Sequence, residues 1–177
     1  MDEKLKLAAD KIEIADVVYK YCRAIDRMDR ELLESVFHED SIHHHGEYEG
    51  PSSDFCNFAF DILAEMEFTQ HLVGNLLIEV DGDTAWSEAY WTAFHRIAKG
   101  KESEMGFLAE HDSSIDEDVF VSGRYIDRFE KRNGEWKIAK RQGVHDWVRF
   151  EPANEKGQLE AAGPTASRSR QDPAYQR

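Results

Sequence analysis

Apolar residues recur at three- and four-residue steps through the first third of the chain. Ile14, Val17, Val18, Tyr21, Ile25 and Met28 fall on one helical face. Asp29 is placed to cap a second, short helix carrying Leu32, Leu33, Val36 and Phe37. The turn Gly50-Pro51-Ser52-Ser53 leads into a third helix with the stripe Phe55, Phe58, Ala59, Ile62, Leu63 and Met66. Residues 41–48, between the second and third helices, read as a short extended piece. Beyond residue 67 the period shortens. Segments 71–80, 84–97, 119–131 and 135–150 are rich in Val, Ile, Trp, Tyr and Phe and read as strands. Asp81-Gly82 and Asn133-Gly134 join them as tight hairpins, because these residues tolerate positive φ. No proline interrupts residues 52–151, as central strands require. Helices followed by antiparallel strands predict an α+β domain over residues 1–150.

Two segments fall outside this pattern. Residues 99–118 are acidic, contain Ser and Gly, and form a long loop or lid between two strands. Residues 151–177 hold three of the four prolines and almost no large apolar side chains, and read as a C-terminal tail or arm, disordered or ordered only on a neighbour.

Composition narrows the function. At 177 residues the chain fits one domain. Asp and Glu number 36 against 22 Lys and Arg, a formal charge of −14, which opposes binding to nucleic acid or anionic membranes. No apolar run is long enough for a membrane span, and the start MDEKLKLAADK lacks an apolar signal region, so a cytoplasmic protein is expected. Cys22 and Cys56 form no paired motif and are expected to be free thiols.

Several residues could carry chemistry. On a helical wheel Asp26 lies about 80° from Val18, bordering the apolar stripe, while Arg23 and Arg27 point away. It is either a solvated or arginine-paired surface group or a buried catalytic carboxylate. His71, at the start of the first long predicted strand, is either a hydrogen-bonded half-buried side chain or a proton carrier working near neutral pH. A carboxylate on one ring nitrogen would fix its tautomer and make the other a better base. In His43-His44-His45 the outer two share a strand face. They are metal ligands, pocket-lining imidazoles or a polar surface run; the spacing does not specify zinc. By period two His95 shares a face with Ala89, Trp91 and Ala93, and could reach the same cavity as His71. His38, His111 and His145 have no comparable support. Phosphate loops, GxSxG and HExxH are absent.

Tyr21-Cys-Arg-Ala-Ile-Asp26, Gln70-His71 and the closing Gly123-Arg-Tyr-Ile-Asp-Arg-Phe-Glu-Lys-Arg-Asn-Gly-Glu-Trp-Lys-Ile over residues 8–150 resemble the nuclear transport factor 2-like superfamily. More narrowly, they resemble its SnoaL-like branch, which contains scytalone dehydratase, hexachlorocyclohexane dehydrochlorinase and bile-acid 7α-dehydratase. The resemblance implies an α+β cone, with a curved antiparallel sheet wrapped around a pocket that three N-terminal helices close. It implies catalysis without metal or organic cofactor. It assigns the catalytic Asp to Asp26, the His to His71 and a tyrosine one turn earlier to Tyr21. His43 and His45 stand where relatives place Trp or Tyr to hold a leaving group or water, which is a departure. A second family histidine falls on His95.

The expected catalytic set is therefore Asp26, His71, Tyr21 and His45. His43, His95, Trp91, Phe55 and Tyr48 are expected against the substrate. The expected activity is cofactorless elimination of a hydroxyl, with or without loss of formaldehyde, from a hydroxylated aromatic or polycyclic compound such as a lignin-derived diarylpropane or a steroid. Two other readings stand beside it: a non-catalytic small-molecule or protein binding module, and a metal-dependent enzyme using His43 and His45. The apolar open face of the sheet suggests a homodimer or homotrimer.

Overall fold

A computed structural model describes residues 2–102, 109–154 and 166–176. Helix α1 (Glu3–Arg27) is capped by Asp2, whose side chain accepts from the Lys4 amide at 3.0 Å. It buries Ile14, Val17, Val18, Tyr21 and Ile25, the predicted stripe. It stops at Met28, whose left-handed φ of 52° breaks the ladder. Asp29 then caps α2 (Arg30–Ser35) by accepting from the Leu32 amide at 3.2 Å. Strands β1 (Phe37–His45) and β2 (Tyr48–Pro51) precede α3 (Ser52–Ala64). The long strands β3 (Met66–Asp81), β4 (Thr84–Ile97), β5 (Glu117–Arg132) and β6 (Glu135–Pro152) follow.

The boundaries move where one apolar run serves two periods. Val36 and Phe37, expected on α2, form its cap and the first residue of β1. Met66, expected on α3, begins β3, so His71 lies inside that strand rather than opening it.

The six strands form one sheet in the order β2-β1-β6-β5-β4-β3. Four pairings are antiparallel, and β1 runs parallel to β6. That parallel pair departs from the all-antiparallel expectation, and it exists because the chain leaves β1 and returns beside it only after β2, α3 and three strands. Helix α3 touches β1 and β2 at one edge and β3 at the other, which a flat sheet would not permit. The sheet is therefore a curved wrap around a hollow, and α1 and α3 close it: the expected α+β cone.

One glycine lets β5 and β6 approach closely. At Gly123 a Cβ would sit 1.9 Å from the Val144 carbonyl oxygen and 2.9 Å from the Trp91 ring, beside a β5–β6 register shift. The outer face leaves Leu72, Leu77, Trp86, Tyr90 and Ile126 exposed. Cys22 and Cys56 are free and buried. Among the described residues no helix is long and apolar enough to cross a membrane.

The 99–118 segment includes residues 103–108, which lie outside the described residues, as do 155–165 of the tail. Near the far end of the loop, His111 Nδ1 lies 2.8 Å from the Glu117 carboxylate. Residues 166–176 differ from a tail that orders only on a neighbour, because they lie against their own chain. Arg168 donates to the carbonyls of Leu63, at 2.9 Å, and Met66. The Tyr175 hydroxyl donates to Asp29 at 2.8 Å, and Arg27 pairs with Asp172 at 3.4 Å. Charged and aromatic anchors hold this segment where apolar burial is scarce.

Asp10, on the core side of α1, accepts from Lys131 Nζ at 2.8 Å and Trp136 Nε1 at 2.9 Å, tying the helix to β5 and β6. Burial alone would raise its carboxyl; those hydrogen bonds more than offset it and hold the group below its ordinary 3.8. The carboxyl is depressed in the folded state, so the stability it adds is present above the unfolded value and is lost as pH falls through the folded one. Asp10→Asn is expected to lower Tm at neutral pH and to flatten the fall of Tm below about pH 4 in thermal unfolding followed by circular dichroism. An unchanged slope would refute this.

Candidate active site

The hollow of the cone is a cavity of about 400 Å³. Its walls come from α1, α3, the end of β1 and the four long strands. Ile25, Phe58, Ile62, Leu63 and Met66 supply apolar surface, and Tyr21, Phe55, Trp91 and Tyr125 supply aromatic surface. The mouth is bordered by the exposed residues Gly46 and Glu47 of the β1–β2 turn and His145 to Val148 of β6.

Asp26 and His71 meet on one side. The last turn of α1 carries Asp26 to β3, where its two carboxylate oxygens accept two hydrogen bonds from a single residue. Oδ1 lies 2.8 Å from His71 Nδ1, and Oδ2 accepts from the His71 backbone amide at 2.9 Å. An ionised carboxylate only accepts, so the contact assigns the proton to Nδ1 and leaves the Nε2 lone pair as the basic position. The Asp26 side chain is 12% exposed and that of His71 10%, so water competes weakly for this bond. His71 lines the cavity, and Asp26 stands behind it.

His95 lies beside them on β4. Its ring meets His71 edge-on with centroids 5.5 Å apart, and Nδ1 shares a 2.7 Å hydrogen bond with the Thr69 hydroxyl. Burial holds His95 well below the usual histidine range, with the His71 and Arg168 charges adding to it. His45 lines the opposite wall, 4.8 Å from His145 and 6.1 Å from Trp91 between ring centroids. Burial depresses it too, as do His145, Arg141, His71 and His44.

Tyr21 and Tyr125 meet edge to face at 5.5 Å, and Trp91 stacks on Tyr125 at 5.3 Å. Behind the two tyrosines the Arg141 guanidinium lies 3.9 Å and 4.2 Å from their ring centres. Arg141 makes a forked pair with Asp127, at 2.7 and 2.6 Å, and both side chains are fully buried. Burial would strip the charge from Arg141; the Asp127 carboxylate restores it. Burial raises the Tyr21 hydroxyl well above its ordinary value, so it remains a donor.

Not every expected residue joins the site. His43 is fully buried, stacks face to face on Phe55 at 3.4 Å, and stands behind the lining rather than in it. Tyr48 packs on Phe55 and Phe58, and its hydroxyl donates to the Pro51 carbonyl at 2.6 Å, also outside the lining. Among the described residues no group of three or more His, Cys, Asp or Glu side chains is placed to hold a metal ion. His145 and the Arg141–Asp127 pair were not anticipated. Alternation along β6 from Arg141 through Gly143 to His145 was the available signal.

The SnoaL-like domain model matches residues 7–142. No curated protein matches the chain. Among solved structures, a type 2 hexachlorocyclohexane dehydrochlorinase is similar, with TM-score 0.71 and 18% identity over 89% of this chain and 99% of that one. A protein assigned as a scytalone dehydratase, from Novosphingobium aromaticivorans, has TM-score 0.65 and 20% identity over 86% and 96%. Another, assigned as an aromatic ring hydroxylase from the same organism, has TM-score 0.64 and 20% identity over 82% and 94%. At these identities the likeness speaks for the fold alone.

Removing one partner of the Asp127–Arg141 pair strands a buried charge. Asp127→Ala is expected to cost about 3–5 kcal/mol, read by urea denaturation. Asp127→Leu combined with Arg141→Met should recover most of that loss. A double variant as unstable as the single one would show that packing, not the stranded charge, sets the cost.

Proposed function

We propose that this chain, which belongs to the SnoaL-like domain family, is a cofactor-independent lyase that eliminates a hydroxyl from a hydroxylated aromatic or polycyclic small molecule. The observation that carries this reading is the carboxylate grip of Asp26 on both N–H groups of His71, beside an aromatic cavity. A cavity of about 400 Å³ falls in the range that holds ring-sized ligands. Trp91, Tyr125 and Phe55 offer it flat apolar faces.

In the reaction His71 Nε2 removes a proton from carbon or from a phenolic hydroxyl, and Asp26 stabilises the imidazolium that forms. The C–O bond on the neighbouring or benzylic carbon breaks. The departing hydroxyl takes up the proton that His71 has removed and leaves as water, with Tyr21 or His45 hydrogen-bonded to it, and His71 is returned to its neutral form. A para-hydroxyl on the ring lets the π system hold the developing charge as a quinone methide. If the substrate bears a hydroxymethyl group beside that carbon, formaldehyde is lost from the same intermediate. Lignin-derived diarylpropane diols fit this chemistry, as do hydroxysteroids. Among the similar structures are a dehydrochlorinase and a protein assigned as a dehydratase, and both names describe eliminations.

Incubation with a panel of para-hydroxylated benzylic alcohols, followed by ultraviolet absorbance and formaldehyde trapping, tests this. Turnover is expected, and Asp26→Asn and His71→Ala should each lower kcat by about 10²–10⁴-fold while circular dichroism is unchanged. Stoichiometric binding without product, or unchanged turnover in both variants, would instead indicate a binding module.

The reading extends to a homodimer or homotrimer formed through the outer sheet face, where Leu72, Leu77, Trp86 and Tyr90 are exposed. Sedimentation velocity at micromolar concentration should return two or three times the 20.5 kDa chain mass. A monomer mass would remove this part.

A further inference from the structure

The cavity wall opposite His71 is built around a ring whose orientation one glycine dictates. His45 and Gly143 are partners in the parallel β1–β6 pairing. A Cβ added to Gly143 would lie 2.3 Å from His45 Nδ1 and 2.8 Å from both Cε1 and Cγ. The face of the imidazole, at Nδ1, is thus seated on the Gly143 backbone in space that a Cβ would fill, and Nε2 lies farther from that backbone. Nδ1 is enclosed and has no hydrogen-bond partner among the described residues, whereas Nε2 is not enclosed in this way. His45 lines the cavity, so Nε2 is the nitrogen a ligand can meet.

We propose that Gly143 is a positioning residue that fixes His45 as its Nε2–H tautomer, so that the cavity presents a neutral imidazole donor opposite the imidazole base of His71. A neutral imidazole carries one proton. Placed on Nδ1 it would be a buried donor with no acceptor, a costlier vacancy than a bare lone pair. A second proton is opposed by burial and by every neighbouring group that can carry positive charge: His145, Arg141, His71 and His44. The two imidazoles therefore hold opposite tautomers. Asp26 puts the His71 proton on Nδ1 and turns a lone pair toward the cavity. Gly143 leaves room for the His45 ring where its Nδ1 is enclosed and unpartnered, so the N–H falls on Nε2, toward the same space. Trp91 neighbours both, its ring centre 6.3 Å from that of His71 and 6.1 Å from that of His45.

A fixed neutral donor has a specific use. It stabilises charge growing on an oxygen without titrating, and it needs no reorganisation when that charge appears. It favours substrates that place an oxygen across the Trp91 face from the proton that His71 removes. This use of the donor rests on the lyase reading; the tautomer does not.

Gly143 is well suited to a direct test. Its φ lies outside the positive region, so alanine is tolerated by the strand and the collision falls on a side chain that can move. The full chain labelled with ¹⁵N-histidine is examined by long-range ¹H–¹⁵N correlation without substrate, and His45 is assigned by its loss in His45→Gln. The expected pattern is Nε2–H for His45, constant between about pH 5 and 8, and Nδ1–H for His71. In Gly143→Ala the His45 pattern should shift or mix while that of His71 stays. Binding of 4-nitrophenol should perturb His45 Nε2–H in the wild type and much less in Gly143→Ala. In turnover, His45→Phe and Gly143→Ala should lower kcat by about 10²-fold or more with little change in KM. His45→Gln, whose amide N–H replaces the donor, should recover at least about ten-fold of the His45→Phe loss. An Nδ1–H or cationic His45 at neutral pH overturns the proposal, as does full activity in His45→Phe. If no substrate turns over but the two tautomers are as stated, the lyase reading fails and this assignment stands.

Discussion

The site depends on one carboxylate accepting from two N–H groups of the same residue. A single hydrogen bond from the His71 ring to Asp26 would leave the imidazole free to swing. The second bond, to the His71 amide, fixes the strand that carries the ring. The last turn of α1 is thereby locked to β3, and the side wall of the cavity and the direction of its base are set together. The surroundings support that lock. Met28 ends the helix two residues on, Asp29 caps α2, and Arg170 and Tyr175 from the C-terminal segment bind the Asp29 carboxylate. Arg168, in the same segment, grips the Leu63 and Met66 carbonyls at the α3–β3 junction and feels the Asp26 charge.

Much of this was legible along the chain, and the gaps have physical causes. Helical phase alone put Asp26 at the edge of the α1 stripe, and the two hairpins follow from Asp81-Gly82 and Asn133-Gly134. Period two could not separate His43 from His45, because both face inward. Their difference arises from depth: His43 lies flat on Phe55 while His45, two residues further, reaches the cavity. His145 was hidden for another reason. Its alternation with Arg141 and Gly143 stops at that histidine, because the register shift at Ser122 and Gly123 skips Asp146. Arg141 looked like one of many surface cations in a charged strand, and only the fold places it beneath Tyr21 and Tyr125 with Asp127. The C-terminal segment lacked apolar residues and so lacked the periodic signal that marks docking. Its anchors are guanidinium, carboxylate and phenol groups, whose partners are far away in sequence.

The distribution of charge explains how such a site can act on a neutral ring. Glu47 and Asp146 are exposed at the mouth, on a chain of net charge −14, and repel anions that approach. Further in, the groups that meet a ligand are imidazoles, a phenol and aromatic faces, with His45 and His95 held neutral by burial. The one carboxylate of the dyad stands behind the imidazole instead of beside the ligand. Facing inward, it would oppose negative charge developing on the substrate. Behind the ring it holds the imidazole tautomer and stabilises the imidazolium that forms as the proton moves. The carboxylate is thus kept off the ligand and placed where it stabilises the positive charge that proton transfer creates, which is the form of electrostatics that lowers a barrier rather than tightening ground-state binding.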